Sequence, residues 1–170
     1  NITISDEVDL LLDTGGGLAK AAKCIGKNFD SILVHNVDVY ADIDYQSLIQ
    51  THLGGNAQTT LAVSNRETSR KLLFQKGELK GWKNFKTDEI LGVQDYNESN
   101  YKAFSGIHLI KTTFAHESIP QNDVFSLIQW YIDLCKNNRM LSWEHDPQRW
   151  FDLGTVERIQ KAEAFIKNSK

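Results

Sequence analysis

The chain has 170 residues, of which 41% are hydrophobic and 24% are charged, and its net charge at pH 7 is −3. This size and composition are typical of a single globular domain with a hydrophobic core, and they exclude a largely disordered chain. The small negative charge gives no overall attraction to nucleic acid phosphates or to anionic lipids. We therefore expect neither nucleic acid nor a membrane as a partner.

The cysteines and the hydropathy pattern indicate a cytoplasmic protein. Cys24 and Cys135 are far apart and lack the spacing of a zinc site or of a disulfide framework. We expect both to pack as buried apolar residues in a reducing compartment. No apolar run reaches the roughly 18 residues that a membrane span needs.

Strand-like and helix-like segments alternate along the chain. The opening letters NITIS alternate like the body of a strand, which suggests that the chain begins inside an element and is a fragment. Residues 10–26 and 31–55 each combine an apolar strand-like run with a following helix, and residues 102–110 predict a strand that runs into a short helical turn. This alternation predicts an α/β sheet with parallel strand pairs.

The second half of the chain adds a hairpin and two helices. Residues 70–84 predict an antiparallel hairpin that turns at QKGEL, and residues 122–138 have the apolar spacing of an amphipathic helix. Two short strands flank Pro147, and Thr155 is a candidate N-cap for the last helix. No repeat or linker divides the chain, so we expect one domain over residues 1–170.

Two aspartates are candidate metal ligands. Asp38 ends a buried strand, and ligands of open α/β sheets bind at the carboxyl ends of strands, where a carboxylate suits Mg²⁺. Asp152 lies just before the last helix. The alternative is that Asp38 serves the turn before Asp42 and Asp44, and that Asp152 caps the helix. The two can share one metal only if the sheet brings their strand ends together, with carboxylates about 4 to 6 Å apart.

The sequence does not match other common patterns of functional sites. The glycines at 15 and 17 begin a dinucleotide fingerprint, but the third glycine position is Lys20. Ser105 lacks the G-x-S-x-G frame of a hydrolase nucleophile. The histidines have no mutual spacing of a ligand set, so we expect surface or strand-end roles for His35, His52, His108, His116 and His145.

Four motifs in order carry a resemblance to a known family. These are DTGGGLAKA, LVHNVDVYADID, FSGIHLI and WFDLGTVERIQKAEAF, within residues 4–165. Together they resemble the sugar-phosphate nucleotidyltransferases, and most closely the short members such as mannose-1-phosphate guanylyltransferases and N-acetylmuramate-1-phosphate uridylyltransferases. The resemblance implies a Rossmann-like, mixed but mostly parallel sheet flanked by helices, here incomplete at the N-terminus.

The resemblance also implies a site and a reaction. The implied reaction uses a nucleoside triphosphate and a sugar 1-phosphate as substrates and Mg²⁺ as cofactor. Its products are an NDP-sugar and pyrophosphate. Asp38 and Asp152 match the catalytic aspartates that bind the metal. The remaining matched positions are Thr14, Gly15 and Gly16 for the nucleotide and Ser105 and Gly106 for the sugar.

The sequence departs from the family pattern at three places. Val37 replaces the glycine before the first aspartate, and either Lys83 or Lys86 could stand for the family's phosphate-contacting lysine. The arginine-bearing loop G-G-x-G-T-R-L-x-P-x-T has no match. We therefore interpret the chain as the C-terminal two thirds of a nucleotidyltransferase domain, inactive alone.

Two further expectations follow from that interpretation. A sheet edge formed by the strand carrying TISDE and LLL would be open, so the chain would pair with the rest of its own protein or form a homodimer. The alternative function is a non-catalytic nucleotide-sugar binding or regulatory module.

Overall fold

The computed structural model describes residues 2–95, 97–120 and 124–168. Its helices are α1 (Asp13–Ile25), α2 (Tyr45–Gly54), α3 (Thr112–Glu117), α4 (Leu127–Leu134) and α5 (Val156–Asn168). Its strands are β1 (Ser31–His35), β2 (Val39–Ala41), β3 (Thr59–Ser64), β4 (Arg70–Gln75), β5 (Glu78–Asn84), β6 (Ile90–Gly92), β7 (Tyr101–Lys111), β8 (Met140–Glu144) and β9 (Trp150–Asp152).

The main sheet has the order β1-β7-β3-β8-β5-β4, with β6 beside β5, and β2 pairs with β9 in a separate ladder. The α/β class is confirmed, but the expectation of a mostly parallel sheet is wrong. Among the described strands only β3 and β8 pair in parallel. The long strand β7 lies between β1 and β3 and runs antiparallel to both. Strands β1 and β3, which β2 and α2 separate in the chain, therefore share a direction without pairing with each other.

The glycine motif lies in a helix and not in a loop between a strand and a helix. Residues 2–12 form no strand, so the predicted strands at NITIS and LLL are wrong, and α1 begins at Asp13. The amides of Gly15 and Gly16 both donate to the Phe125 carbonyl, over 3.0 and 3.3 Å. A Cβ on Gly15 would lie 2.4 Å from the Phe125 ring. The glycine there permits close packing of α1 against the segment before α4.

Most of the other predicted elements are confirmed. The hairpin β4–β5 turns at Lys76 and Gly77, both with positive φ, as a two-residue primed turn requires. The amphipathic helix is shorter than predicted, and residues 122–123 of the predicted region lie outside the described ranges. At the start of α5, the Thr155 hydroxyl accepts from the Arg158 amide over 3.4 Å.

The core has two layers, one on each face of the sheet. Helices α1, α3 and α4 cover one face, where Tyr131 and Leu61 are fully buried, and α2 covers the other with Leu48. Both cysteines are free. Cys135 is buried as expected, but Cys24 is exposed. Within the described ranges, no helix combines the length and apolar character needed to cross a bilayer.

The expected edge at TISDE and LLL does not form, because residues 2–12 contain no strand, but β1 is an open edge of the sheet. It pairs on one side with β7 and on the other with no described strand. Exposed backbone donors and acceptors on such an edge favour pairing with another strand. We expect concentration-dependent dimerisation by sedimentation velocity. Leu33→Lys, on β1 and 44% exposed, should suppress it, whereas Leu53→Lys on α2, 63% exposed, should not. A monomeric wild type at every concentration would contradict this expectation.

Candidate functional site

The site begins with a break in the longest strand. Along the β3–β7 ladder, Leu61 faces His108 whereas Val63 faces Phe104, so β7 bulges over the intervening residues. Gly106 lies in this bulge with a φ of +73°, in the left-handed region that a side chain disfavours. A bulge of this kind re-aims the backbone and leaves carbonyls outside the regular ladder.

Three successive carbonyls at the bulge bind groups from other elements. The Phe104 carbonyl accepts from Arg66 Nη2 over 2.7 Å, and the Ser105 carbonyl accepts from Trp150 Nε1 over 2.8 Å. The Gly106 carbonyl accepts from the Asn36 amide over 2.9 Å. The bulge is thereby joined to the segments after β1 and β3 and to β9.

The Ser105 side chain is held by a histidine. Its Oγ lies 2.7 Å from His145 Nε2, and His145 Nδ1 lies 3.0 Å from the Asp146 carbonyl. Because a carbonyl can only accept, Nδ1 carries the proton and the Ser105 hydroxyl donates to Nε2. Burial lowers the pKa of His145, which favours this neutral form. Ser105 is therefore fixed as a donor to His145.

The two candidate metal ligands are brought together by the β2–β9 ladder. Val39 faces Asp152, and the Leu153 amide donates to the Asp38 carbonyl over 2.7 Å. Main-chain segments 114 residues apart (152 − 38) are thus adjacent, as a shared metal requires. The separation of the two carboxylates stays a prediction. The described residues hold no group of three or more acidic, histidine or cysteine ligands.

The carboxylate of Asp152 already has partners. Oδ1 accepts from the Gly154 amide over 2.8 Å, and Oδ2 accepts from Arg158 Nη1 over 2.7 Å. The Gly154 hydrogen bond and then the Arg158 guanidinium hold the pKa of Asp152 below its usual value. Asp38 is exposed. One or two carboxylates, completed by substrate phosphates, are a common way to bind Mg²⁺, so this donor pair fits that ion.

A cavity of about 340 Å³, here called the Arg66 pocket, borders Asp152. The guanidinium carbon of Arg66 lies 4.1 Å from the centre of the Trp150 ring, within the range of a cation–π contact. Burial lowers the pKa of Arg66 and the nearby Asp152 opposes that shift. The lining residues are Arg66, Glu67, Pro147, Trp150, Phe151, Asp152, Arg158 and Lys161.

A second cavity of about 710 Å³, here called the α1 cavity, shares no lining residue with the Arg66 pocket. Thr14 lines it from α1, Asn36 from the end of β1 and Phe104 from β7. The Thr14 hydroxyl also accepts from the Leu127 amide over 3.2 Å. Gly15 and Gly16 do not line this cavity, because they pack toward Phe125. The structure thus brings Thr14 near the bulge and turns the two glycines away from it.

The two candidate lysines lie elsewhere. Lys83 pairs with Asp88 over 3.2 Å and lies 5.0 Å from the centre of the Phe85 ring. Neither Lys83 nor Lys86 is among the described residues that line the Arg66 pocket or the α1 cavity. The structure therefore gives neither lysine a place at these cavities.

Sequence reasoning missed several residues that build the site. His145 follows β8 directly and Arg66 follows β3 after one intervening residue, so both lie at carboxyl ends of strands. That position was the available signal, because ligands collect at carboxyl strand ends. Arg158 lies on α5 and reaches back to Asp152, six residues earlier at the end of β9, which the spacing alone did not indicate.

These features define a mixed α/β fold that proteins of known structure share. HddC from Yersinia pseudotuberculosis, solved in complex with GMP-PN, has a similar fold, with a TM-score of 0.61 and 18% identity over 92% of this chain and 64% of that one. A putative glucose-1-phosphate thymidylyltransferase from Bacillus anthracis, solved with sucrose, gives a TM-score of 0.67 and 14% identity over 91% of this chain and 61% of that one.

At these identities the comparison establishes a common fold. The chain spans a little over three fifths of the length of these structural neighbours. No family model and no curated protein matches the sequence significantly.

Proposed function

We propose that this chain carries the cation- and sugar-binding part of a nucleotidyltransferase that forms an NDP-sugar and releases pyrophosphate. The observation that supports this most is the β2–β9 ladder, which makes the main chains at Asp38 and Asp152 neighbours. They lie beside the Gly106 bulge in a fold shared with a putative thymidylyltransferase. Three features therefore support the proposal: the fold, the adjacent segments that carry Asp38 and Asp152, and the bulge at Gly106.

In this proposal Asp38 and Asp152 hold Mg²⁺, which when bound stabilises charge on phosphate oxygens. A phosphate oxygen of the sugar 1-phosphate attacks the α-phosphorus of the nucleotide, and the bond from that phosphorus to the leaving pyrophosphate breaks. We assign the sugar to the main chain at Ser105 and Gly106, because the Ser105 hydroxyl is already bonded to His145. Thr14 faces the nucleotide across the α1 cavity, and Gly15 and Gly16 set its position by packing on Phe125.

The cation assignment has a direct test. Asp38→Asn and Asp152→Asn should each weaken Mn²⁺ binding, followed by electron paramagnetic resonance, by about tenfold or more, because second-shell partners of metal sites already contribute on the order of 10- to 100-fold. Asp133→Asn is the matched control, since that exposed aspartate lies on α4 and bonds only Gln129 among the contacts of the described residues. Equal Mn²⁺ affinities in all three variants would refute the assignment.

The reaction is tested with the full-length protein that the gene encodes. Pyrophosphate release is measured with GTP, UTP or dTTP against hexose 1-phosphates and N-acetylmuramate 1-phosphate. The GMP-PN bound to HddC makes guanine nucleotides the first choice. We expect release with the full-length protein and none with the 170-residue chain. Tight NDP-sugar binding without any release by the full-length protein would favour the non-catalytic module instead.

A further inference from the structure

We propose that the Arg66 pocket is a phosphate-binding site that receives the phosphate of the sugar 1-phosphate, with Arg66 and Arg158 as its donors. This inference rests on the proposed function for its ligand. The site itself rests on the cavity, on the charges that line it and on the way its arginines are held. None of the sequence motifs assigned a role to Arg66 or Arg158.

Arg66 is held in place before any ligand arrives. One Nη atom is fixed on the Phe104 carbonyl and the guanidinium plane packs over Trp150. Trp150 is itself fixed, because its indole donates to the Ser105 carbonyl. A guanidinium with a set orientation loses little conformational freedom when it binds an anion, and its planar fork suits phosphate oxygens.

Arg158 supplies the second cation, and its position depends on Asp152. Nη1 of Arg158 donates to the Asp152 carboxylate, while both side chains remain partly open to solvent, at 53% and 38% exposure. Such an exposed ion pair stabilises little, so its exchange for another anion is inexpensive. Arg158 can therefore turn from Asp152 to a phosphate oxygen inside the same cavity.

The charge balance of the lining favours an anion over a neutral ligand. Three cationic side chains, Arg66, Arg158 and Lys161, face two carboxylates, Glu67 and Asp152. Lys161 is partly neutralised by Glu157 at 2.8 Å. Arg66 has no carboxylate within salt-bridge distance among the described residues and remains the cation available to a ligand.

The position of the pocket selects the sugar phosphate over the nucleotide phosphates. Trp150 lines the pocket and bonds the carbonyl next to Gly106, on the sugar side of the proposed site. Thr14, assigned to the nucleotide, lines the separate α1 cavity, which shares no lining residue with the Arg66 pocket. A phosphate in the Arg66 pocket is thus next to the residues that receive the sugar.

The test measures binding to the 170-residue chain without divalent cations, in EDTA, by isothermal titration calorimetry. The ligands are mannose 1-phosphate, glucose 1-phosphate, orthophosphate, free mannose and GTP. We expect the hexose phosphates and orthophosphate to bind and free mannose not to bind. Arg158→Gln and Arg66→Lys should each weaken hexose phosphate binding about tenfold, the effect of losing one charge-assisted hydrogen bond.

The matched control is Lys167→Gln, which removes one positive charge from the same helix α5 but lies outside the pocket, beside Glu163. It should bind the hexose phosphates as the wild type does. Circular dichroism checks that each variant folds. Because Arg158 has no partner in the core, Arg158→Gln keeps the test decisive if Arg66→Lys fails to fold.

Wild-type affinity in both arginine variants would overturn the proposal, and so would equal binding of mannose and mannose 1-phosphate. Loss of GTP binding with unchanged hexose phosphate binding would overturn it too, by assigning the pocket to the nucleotide. The outcomes separate the two proposals. Binding as expected without pyrophosphate release by the full-length protein contradicts only the proposed function. Release together with wild-type binding in the arginine variants contradicts only this inference.

Discussion

Gly106→Ala should destabilise the protein by about 2 to 4 kcal/mol, well beyond the cost of an ordinary glycine substitution. A non-glycine residue in the left-handed region costs on the order of 1 kcal/mol or more. The new Cβ would also lie 2.9 Å from Asn36 Nδ2 and 3.0 Å from Asn36 Cγ. Asn36 must then move, although its amide is bonded to the Gly106 carbonyl. Urea unfolding followed by tryptophan fluorescence measures the loss.

Gly77→Ala separates the cost of the left-handed backbone conformation from the cost of the contact with Asn36. Gly77 has nearly the same φ, +78° against +73°, but nothing lies within 4 Å of its Cβ position. Its substitution should cost only the conformational part, about 1 kcal/mol. The excess loss in Gly106→Ala then measures the contact with Asn36. Equal losses in the two variants would show that Asn36 yields freely and that the bulge is not tightly packed.

Acidification should destabilise the protein through His108, by about 2 kcal/mol between pH 6.5 and pH 5. Burial lowers the pKa of this fully enclosed imidazole to about 3. Neither of its ring nitrogens has a hydrogen-bond partner among the described residues, and the rings of Phe104 and Tyr131 pack against it. Below pH 6.5 His108 becomes protonated in the unfolded chain but stays neutral in the folded chain. Stability is therefore full above pH 6.5 and falls as the pH is lowered.

His108→Leu is the variant that checks this. It removes the titrating group and keeps an apolar side chain among the aromatic rings, so the pH slope should fall by about 1.4 kcal/mol per unit. Some slope should remain, because burial also lowers the pKa values of His52 and His145. The measurement is the urea-derived free energy of unfolding at several pH values from 5 to 7.5. An unchanged slope in the variant would mean that His108 does not stay neutral in the core.

How far the sequence predicts the site depends on how local each feature is. The sequence offers Asp38 and Asp152 as candidates through their positions near strand ends and the motifs around them, and in the structure their main-chain segments are adjacent. The carboxylate partner of Arg158 could be found only in the folded chain. The histidine on Ser105 is equally non-local, because it lies 40 residues away.

The glycine motif is a case in which local sequence preference gave the wrong prediction. Three successive glycines favour a turn by their own conformational freedom, and so the sequence suggested a loop. The structure makes them the first turn of α1, because the Phe125 segment packs closely there and binds two of their amides. A distant contact outweighed the local preference.

By itself the sequence determined the hairpin at Lys76 and Gly77, most of the helices, the strands from β1 onward and the α/β class. Each of these follows from short-range chemistry: side-chain periodicity, turn residues and caps. Only the tertiary structure decided that β7 lies between β1 and β3, that its bulge at Gly106 binds Arg66, Trp150 and Asn36, and that β2 joins β9. Strand order and register depend on the burial of side chains far apart in the chain, and local propensity carries no information on which distant strand will cover them.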